Sequence, residues 1–406
     1  MPEGSSPTRF IGLDIHKDYF VAAGVDAGQA TVLNPQRVEN ARLESWVRKQ
    51  LTPDDAVVLE VTTNTYTFYD TLKPHVHSVT VVHPPHVALI TRAQVKTDQK
   101  AALAMAQLHA AGLLVGIWIP PQPIRDARAI VAQRWKMVRL QTQAKNRLRS
   151  VLHRHHLQAP EKPFSTDQRA GWEQLDVSAL EKVNIQCDLD TLAGAHSQIE
   201  RLEACLGELA AQDPRVPLLV QVTGIGLIAA MTLLSAIGEI ERFADAPHLV
   251  GYAGLGARVH ASGQTFQTGR ITKTGRKDIR HVLVEAAQHA ARHHPHWKEE
   301  YARLEPRLGR NKTMVAIARK LLVVVWHVLT EEQVDRYADP TQVACSFFAH
   351  AYKVGVKNLP EGQSAIQFTR NQLDRLGIGA DLKTIPWGSK TFKLPPSKLA
   401  NAQEAQ

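Results

Sequence analysis

An aspartate stands inside the first apolar segment of the chain, and it limits what that segment can become. Residues 11–26 have the pattern of a strand, a tight turn and a second strand, with Asp14 between Leu13 and Ile15. An ionised carboxylate on a buried strand is costly unless a cation or several donors meet it. A divalent metal ion is the obvious cation. The segment therefore predicts a strand that carries a metal ligand.

Two further acids fit the same kind of site. Glu60 lies in the apolar segment 56–61, and Asp98 opens a helical segment directly after Thr97. Two strand acids and one helix acid form an oxygen-ligand set suited to Mg²⁺. The alternatives are a structural ion pair for the strand acids and a helix-capping role for Asp98.

Composition narrows the class of protein. A chain of 406 residues with 44% hydrophobic residues predicts two or three folded units. The formal charge of +9 favours a polyanionic partner, either nucleic acid or an anionic membrane. Three scattered cysteines fit a reducing compartment. Because we find no apolar signal core and no run near the ~20 residues of a membrane span, we expect a soluble, cytoplasmic protein.

The first segment, residues 8–119, alternates strand and helix patterns. The predicted strands are 9–15, 19–26, 30–38, 56–62 and 78–83, and the predicted helices are 41–51, 65–73, 85–93 and 98–111. Three strands in a meander, followed by alternating helices and strands, predict an α/β sheet of the RNase H-like kind. Its first and fourth strands would be neighbours, so that Asp14 faces Glu60.

The second segment, residues 120–212, predicts two long helices. The first is strongly basic, and the residues that we expect to bind nucleic acid there are Arg125, Arg128, Arg134, Arg139, Lys145, Arg147 and Arg149. The second carries apolar residues three or four apart from Ile185 to Leu209, which is typical of a coiled coil. The seam fits a hairpin within the chain or pairing with another copy, as a dimer or tetramer.

The third segment, residues 213–335, predicts a mainly helical domain with two glycine-rich elements. Gly224 and Gly226 stand at the start of a helix, as in helix-hairpin-helix elements whose backbone N–H groups face a phosphate; many tight turns need the same glycines. A hairpin then carries five cations that we expect to contact nucleic acid: Arg258, Arg270, Lys273, Arg276 and Lys277. The fourth segment, 336–406, has no assigned role.

Ser262 lies within that basic hairpin. A serine followed by glycine is common in turns, and this is the ordinary explanation of the pair. The cations around it, however, could hold a phosphate and stabilise charge during an in-line displacement. A hydroxyl at this place could then attack phosphorus as a covalent nucleophile.

Together these motifs resemble a known family. The ordered runs are Gly12–Lys17, Leu59–Thr62, Lys96–Asp98, Tyr252–Leu255, Ser262–Gly263 and Gly269–Lys273. They are similar to the DEDD transposases of insertion sequence family one-ten and its eleven-eleven branch, over roughly residues 8 to 335.

The resemblance implies a RuvC-like domain, a coiled coil and a C-terminal transposase domain. It implies that Asp14, Glu60 and Asp98 are the first three acids of a Mg²⁺ site and that Ser262 is the nucleophile. It also implies a structured noncoding guide RNA that pairs with donor and target DNA, while the protein holds the backbone. The resulting expectation is an RNA-guided recombinase that acts through a phosphoserine linkage.

One position departs from the family pattern. The fourth acid is expected three residues after Asp98, on the same helix face, and Ala101 stands there. Either this copy is inactive, or the alanine was introduced, or another group substitutes. Two rivals therefore stay open: a metal-dependent, structure-specific nuclease and a binding protein without catalysis. An actin-like ATPase is disfavoured, because we find no second phosphate-binding loop.

Overall fold

The computed structural model describes residues 6–84, 97–165, 169–263 and 265–399, which form two compact units, 1–120 and 121–406. The first unit is a mixed α/β sheet with helices. Its strands are β1 Arg9–Ile15, β2 Tyr19–Asp26, β3 Thr31–Glu39, β4 Asp55–Glu60 and β5 Ser78–Val82, and its helices are α1 Leu43–Gln50, α2 Thr65–Leu72 and α3 Asp98–Ala110. The predicted helix 85–93 lies outside the described residues.

The strand order of this sheet is β3-β2-β1-β4-β5. Strands β1, β2 and β3 are antiparallel neighbours, whereas β4 runs parallel to β1 and β5 runs parallel to β4. The prediction that the first and fourth strands are adjacent is therefore confirmed. Alternating apolar residues fill the core beneath the sheet, where Phe20 packs edge-on against Trp46 and Phe68.

Helix α3 lies directly on the other face of the sheet because β1 has a glycine at the contact. A Cβ atom on Gly12 would lie 2.0 Å from the carbonyl oxygen of Ala102 and 2.8 Å from the nitrogen of Ala106. Ala102, Met105 and Ala106 are buried on this side of the helix. Small residues on both elements thus let the helix backbone approach the strand, which brings the start of α3 beside the end of β1.

The second unit begins with two long helices, α4 Gln122–Arg154 and α6 Ala179–Gln212, separated by the short helix α5 Arg169–Glu173. Three ion pairs join the long helices, Arg134 with Glu203, Arg147 with Asp188, and Arg154 with Glu181. Their reversed order along the two helices shows an antiparallel hairpin. The sequence predicted either a hairpin within the chain or pairing with another copy, and the structure shows the hairpin.

The rest of the second unit is mainly helical. Its helices are α7 Arg215–Val220, α8 Leu227–Ile237, α9 Ala246–Tyr252, α10 Lys277–His293, α11 Pro295–Leu308, α12 Arg310–Glu331, α13 Pro340–Val354 and α14 Ala365–Arg375. Two hairpins complete it, β6 Ala257–Ser262 with β7 Thr265–Ile271, and β8 Thr384–Trp387 with β9 Lys390–Lys393. One buried cluster draws side chains from the segments 120–212, 213–335 and 336–406; the boundaries between these segments stay predictions.

Helix α12 is long and apolar enough to span a membrane by length and composition, contrary to the expectation from the sequence. Its residues Ile317, Leu321, Leu322 and Val325 are fully buried in the core of the second unit. Core helices of soluble proteins share this composition. Burial of its apolar side explains the helix without a membrane.

Candidate functional site

Asp14 and Glu60 occupy matching positions on neighbouring strands. In the parallel ladder, Leu13 of β1 pairs with Leu59 of β4, and each acid is the next residue along its strand. Neighbouring strands lie about 4.8 Å apart, and residues in register point to the same face. Both acids are partly exposed at the carboxyl ends of their strands. The sheet therefore places the first two predicted acids side by side.

Asp98 is brought to the same place by helix α3. Its Oδ2 accepts a hydrogen bond from the Tyr19 hydroxyl at 2.9 Å. The N-cap of the helix is Thr97, whose Oγ1 accepts from the backbone nitrogen of Lys100 at 3.3 Å. Because the cap is Thr97, the alternative that Asp98 serves only as the cap is wrong. The carboxylate of Asp98 also raises the pKa of Tyr19, since the hydrogen bond favours the neutral hydroxyl.

His16 lies between the two carboxylates, a position that the sequence analysis did not predict. Its Nε2 is 3.3 Å from Oδ2 of Asp98 and 3.6 Å from Oδ2 of Asp14. The ligand atoms of Asp14, His16 and Asp98 all lie within 4.8 Å of one another. A signal was available: His16 follows Asp14 by two positions, and residues two apart share a face of an extended chain.

These residues fit a divalent cation. The Nε2 atom of His16 is buried and makes no hydrogen bond of good geometry to any residue that the structure describes. A buried nitrogen aimed between two carboxylates is a suitable donor for a metal ion. Glu60 is outside this close group and stands on the adjacent strand. Ala101, one helical turn after Asp98, offers no ligand atom.

The second candidate site, Ser262, ends strand β6 and pairs with Thr265 across the hairpin turn. Ser262 is exposed, and Gly263 has a φ of +57°, as expected of a tight turn. Phe266 in the facing strand leaves 69% of its side chain in solvent. An exposed serine at the turn of this hairpin is accessible to a large substrate. The predicted cations Arg258 and Arg270 belong to the two strands of this hairpin.

Two of the predicted basic sets meet in one groove. Arg128 and Arg139 of α4 line a groove of about 650 Å³ together with Arg276 and Lys277 at the start of α10. Trp135, half-buried, lies in the same groove. Cations beside an aromatic side chain suit the backbone and bases of a nucleic acid. The second unit thus joins residues that lie more than 130 positions apart.

Many of these cations also have contacts within the protein. Arg128 donates to the carbonyl oxygens of Ser235 and Ala236, at 2.6 and 2.9 Å, which caps the end of α8. Arg276 forms a two-pronged ion pair with Asp278. Arg134 and Arg147 pair with acids of helix α6. Part of the positive charge on α4 therefore serves to hold α4 against neighbouring elements of the second unit.

The remaining predicted cations lie elsewhere on the second unit. Arg149 and Lys145 stand over the ring of Phe164, 5.0 and 5.6 Å from its centroid, and Arg125 contacts Gln122. Arg258 donates to the carbonyl oxygen of Thr272. The exposed residues Arg270 and Lys273 lie on and just after strand β7. Nucleic-acid binding stays a prediction for all of these residues.

Gly224 has a packing role that the sequence did not reveal. Its φ is +88°, and a Cβ atom there would lie 2.5 Å from the carbonyl oxygen of Ala286 in α10. Gly226 is the N-cap of α8 and is exposed. The first glycine therefore allows close contact between backbones, while the second leaves the start of a helix open.

We expect Gly224→Ala to destabilise the second unit. The left-handed backbone costs about 1 kcal/mol with a side chain, and the overlap with α10 adds to that cost. Thermal unfolding should show a clearly lower melting temperature. The matched control is Gly251→Ala, because a Cβ at Gly251 meets open space in helix α9. Equal melting temperatures for the two variants would contradict the packing role.

Comparisons with known proteins match the two parts of the chain that contain the candidate sites. A family model described as a DEDD transposase of the IS110 type matches residues 11–157, which include the acidic centre. A second model, the transposase IS116/IS110/IS902 family, matches residues 216–302, which include the serine hairpin. Together the two matches cover more than half of the chain.

Full-length relatives give the same assignment. The transposase for insertion sequence element IS1111A of Coxiella burnetii is 24% identical over 81% of this chain and 91% of its own length. A probable family 20 transposase of Pseudomonas aeruginosa is 25% identical over 79% and 97%. The pilin gene-inverting protein of Moraxella bovis is 26% identical over 80% and 96%. By the two family models and these relatives, the chain belongs to the IS110/IS116 family of DEDD transposases.

Proposed function

We propose that this transposase moves an insertion sequence by RNA-guided recombination of DNA, through a covalent link between Ser262 and a DNA phosphate. The observation that carries the proposal is the convergence of Asp14, His16 and Asp98 at the carboxyl end of the central strand β1. The basic groove of the second unit is the accompanying feature. We further propose an RNase H-like first domain and action in the cytoplasm.

Ser262 performs the first chemical step in this proposal. Its Oγ attacks a DNA phosphorus, the new bond joins that oxygen to phosphorus, and the bond to one ester oxygen of the DNA breaks. The proton of the hydroxyl leaves to a base, and the departing oxygen takes up a proton as a DNA hydroxyl. Attack by a DNA hydroxyl on the phosphoserine reverses the bond changes and rejoins strands.

The acids provide the electrostatic part of the step. A bound Mg²⁺ would stabilise negative charge on the phosphate and orient it. Asp14, Glu60 and Asp98 would hold that ion from two strands and one helix. Tyr19 fixes the carboxylate of Asp98 by donating to it. In this proposal the acids of the first domain orient the phosphate and stabilise its charge, and the serine attacks it.

Nucleic acids are the proposed partners, and the charge of +9 supports them. Donor and target DNA would lie on the groove and hairpin, where the cations Arg139, Arg258 and Arg270 are available. A structured noncoding RNA would choose the sequences by base pairing, as the resemblance implies. A homo-oligomer, a dimer or tetramer, would hold both DNA partners and allow the acids and serine to come from different copies.

A metal-dependent nuclease is the second candidate function, since the acidic centre alone could hydrolyse a phosphodiester. The recombinase is favoured by one relative, the pilin gene-inverting protein, whose name describes rearrangement rather than degradation of DNA. A binding protein without catalysis is the third candidate, and it is supported by the missing carboxylate at Ala101.

The experiment that tests the proposal measures strand breakage. We expect Asp14→Asn to abolish cutting of labelled donor DNA incubated with divalent metal and RNA from the flanks of the element. The matched control is Asp18→Asn, an exposed aspartate in the turn after Asp14, which should cut normally. A denaturing gel shows both results, in the original chain and in an Ala101→Asp background.

Two outcomes would contradict the proposal. DNA that stays intact in both backgrounds would leave only a binding role. Cutting by Asp14→Asn at the level of Asp18→Asn would show that the acidic centre is not the chemical site.

A further inference from the structure

We propose that His16 is a nitrogen ligand of the divalent cation at the acidic centre, so that this centre favours a transition ion such as Mn²⁺ over Mg²⁺. The inference rests on the proposed function in one respect, because it requires that the acids bind a divalent cation. It adds a ligand that the sequence pattern of four acids does not contain.

The distances support a shared ion. Donor atoms that bind one ion at about 2.1 Å lie roughly 3 to 4 Å from one another. The Nε2 atom of His16 lies 3.3 Å from Asp98 and 3.6 Å from Asp14, which is within that range. The three groups come from a strand, the turn that follows it and a helix. They converge on one point without crowding.

The position of the His16 ring is fixed by its neighbours. The ring stacks on Tyr19 with the centroids 4.6 Å apart, and the Tyr19 hydroxyl donates to Asp98. Arg37 covers the Tyr19 ring at 3.6 Å. This stack directs Nε2 toward the carboxylates, where the atom is buried and without a hydrogen bond to the described residues. A polar atom buried in this way is costly unless a ligand satisfies it.

Ala101 explains why a nitrogen ligand matters in this chain. A methyl group stands where an acid one turn after Asp98 would add an oxygen. His16 restores the number of ligands but changes their type. Mg²⁺ prefers oxygen ligands, whereas imidazole raises affinity for first-row transition ions. The expected consequence is a shift in metal preference rather than loss of the site.

In a competing explanation, His16 is not a ligand but competes with the metal ion for the two carboxylates. A protonated imidazole would offset one of the two negative charges of the carboxylates and would have to leave before a cation enters. The two explanations predict opposite signs. Removal of a ligand lowers metal affinity, while removal of a competing cation raises it.

The test measures Mn²⁺ binding to the full chain, by the loss of the electron paramagnetic resonance signal of free Mn²⁺. We expect His16→Ala to weaken binding about 10-fold or more. His75→Ala, which removes an exposed histidine of the same unit, should bind like the original chain. His16→Asp should recover binding and move the preference toward Mg²⁺ in competition. Circular dichroism of the metal-free variants checks that each one is folded.

Each result decides between the explanations. Equal or tighter Mn²⁺ binding by folded His16→Ala would overturn the ligand role while leaving the acidic centre intact. Mn²⁺ binding that Asp14→Asn does not reduce would instead show that the metal is not held at this centre, which would contradict the proposed function itself.

Discussion

Ser262→Ala is expected to eliminate the covalent protein–DNA adduct, the largest effect that we predict for a single substitution. Without the Ser262 hydroxyl the proposed bond to phosphorus cannot form, so the adduct should fall by about 10³-fold or more. The measurement is a denaturing gel of labelled donor DNA before and after protease, since protease shifts only DNA that carries bound protein.

The control is chosen from the same hairpin. Thr265→Ala removes the hydroxyl directly opposite Ser262 in the strand pairing. If the hairpin only needs a polar tip, both variants should lose activity equally. If Ser262 is the nucleophile, only its removal abolishes the adduct. Free cut ends in Ser262→Ala, without an adduct in the original chain, would instead favour hydrolysis by the acidic centre.

The arrangement of the first unit could be predicted because its signals are local. Apolar alternation marks each strand, and an aspartate within an apolar strand marks the end where a ligand is needed. The adjacency of β1 and β4 follows from the order of elements, and the ladder confirms it. The packing of α3 on β1 was less evident, since Gly12 reads as an ordinary strand residue until the helix backbone is placed beside it.

His16 was missed because a residue just after a strand usually reads as part of a turn. The turn is present, and the backbone nitrogen of His16 donates to Tyr19 across it at 2.8 Å. What sequence cannot give is the direction of the ring, which depends on stacking against Tyr19 and on a helix that begins about 80 positions later. Long-range packing decides which side chain becomes a ligand.

For the basic helix α4 the sequence predicted too much rather than too little. Its charge suggested more arginines without an acidic partner than the structure provides. Arg134, Arg147 and Arg154 pair with acids of α6, at positions that no local pattern links to them. Surface pairs of this kind stabilise only weakly, by about 0 to 1 kcal/mol each. They nevertheless reduce the positive charge available to a phosphate. Charge counts along one helix therefore overestimate its contribution to nucleic-acid binding.

Ala101→Asp is expected to raise both metal affinity and strand breakage, by roughly 10-fold or more, because a further carboxylate joins the ligands one turn after Asp98. Mn²⁺ titration and the gel assay measure the two effects. The matched control is Gln107→Asp, which adds the same charge at an exposed position two and a half turns after Asp98, on the opposite side of the same helix, and should leave both unchanged. Equal gains from the two substitutions would show that any added negative charge raises metal affinity and strand breakage, and that a direct metal ligand at position 101 is not required.

The same substitution also tests how Ala101 and His16 depend on each other. If the imidazole compensates for the missing acid, His16→Ala should weaken Mn²⁺ binding strongly in the original chain and only slightly in the Ala101→Asp background. Such non-additivity is expected of two groups that bind one ion and not of groups that act separately. Strictly additive effects would show that His16 and the residue at 101 serve different purposes. In that case His16 would not compensate for the acid that is absent at position 101, and full activity at this centre would require the carboxylate that Ala101→Asp supplies.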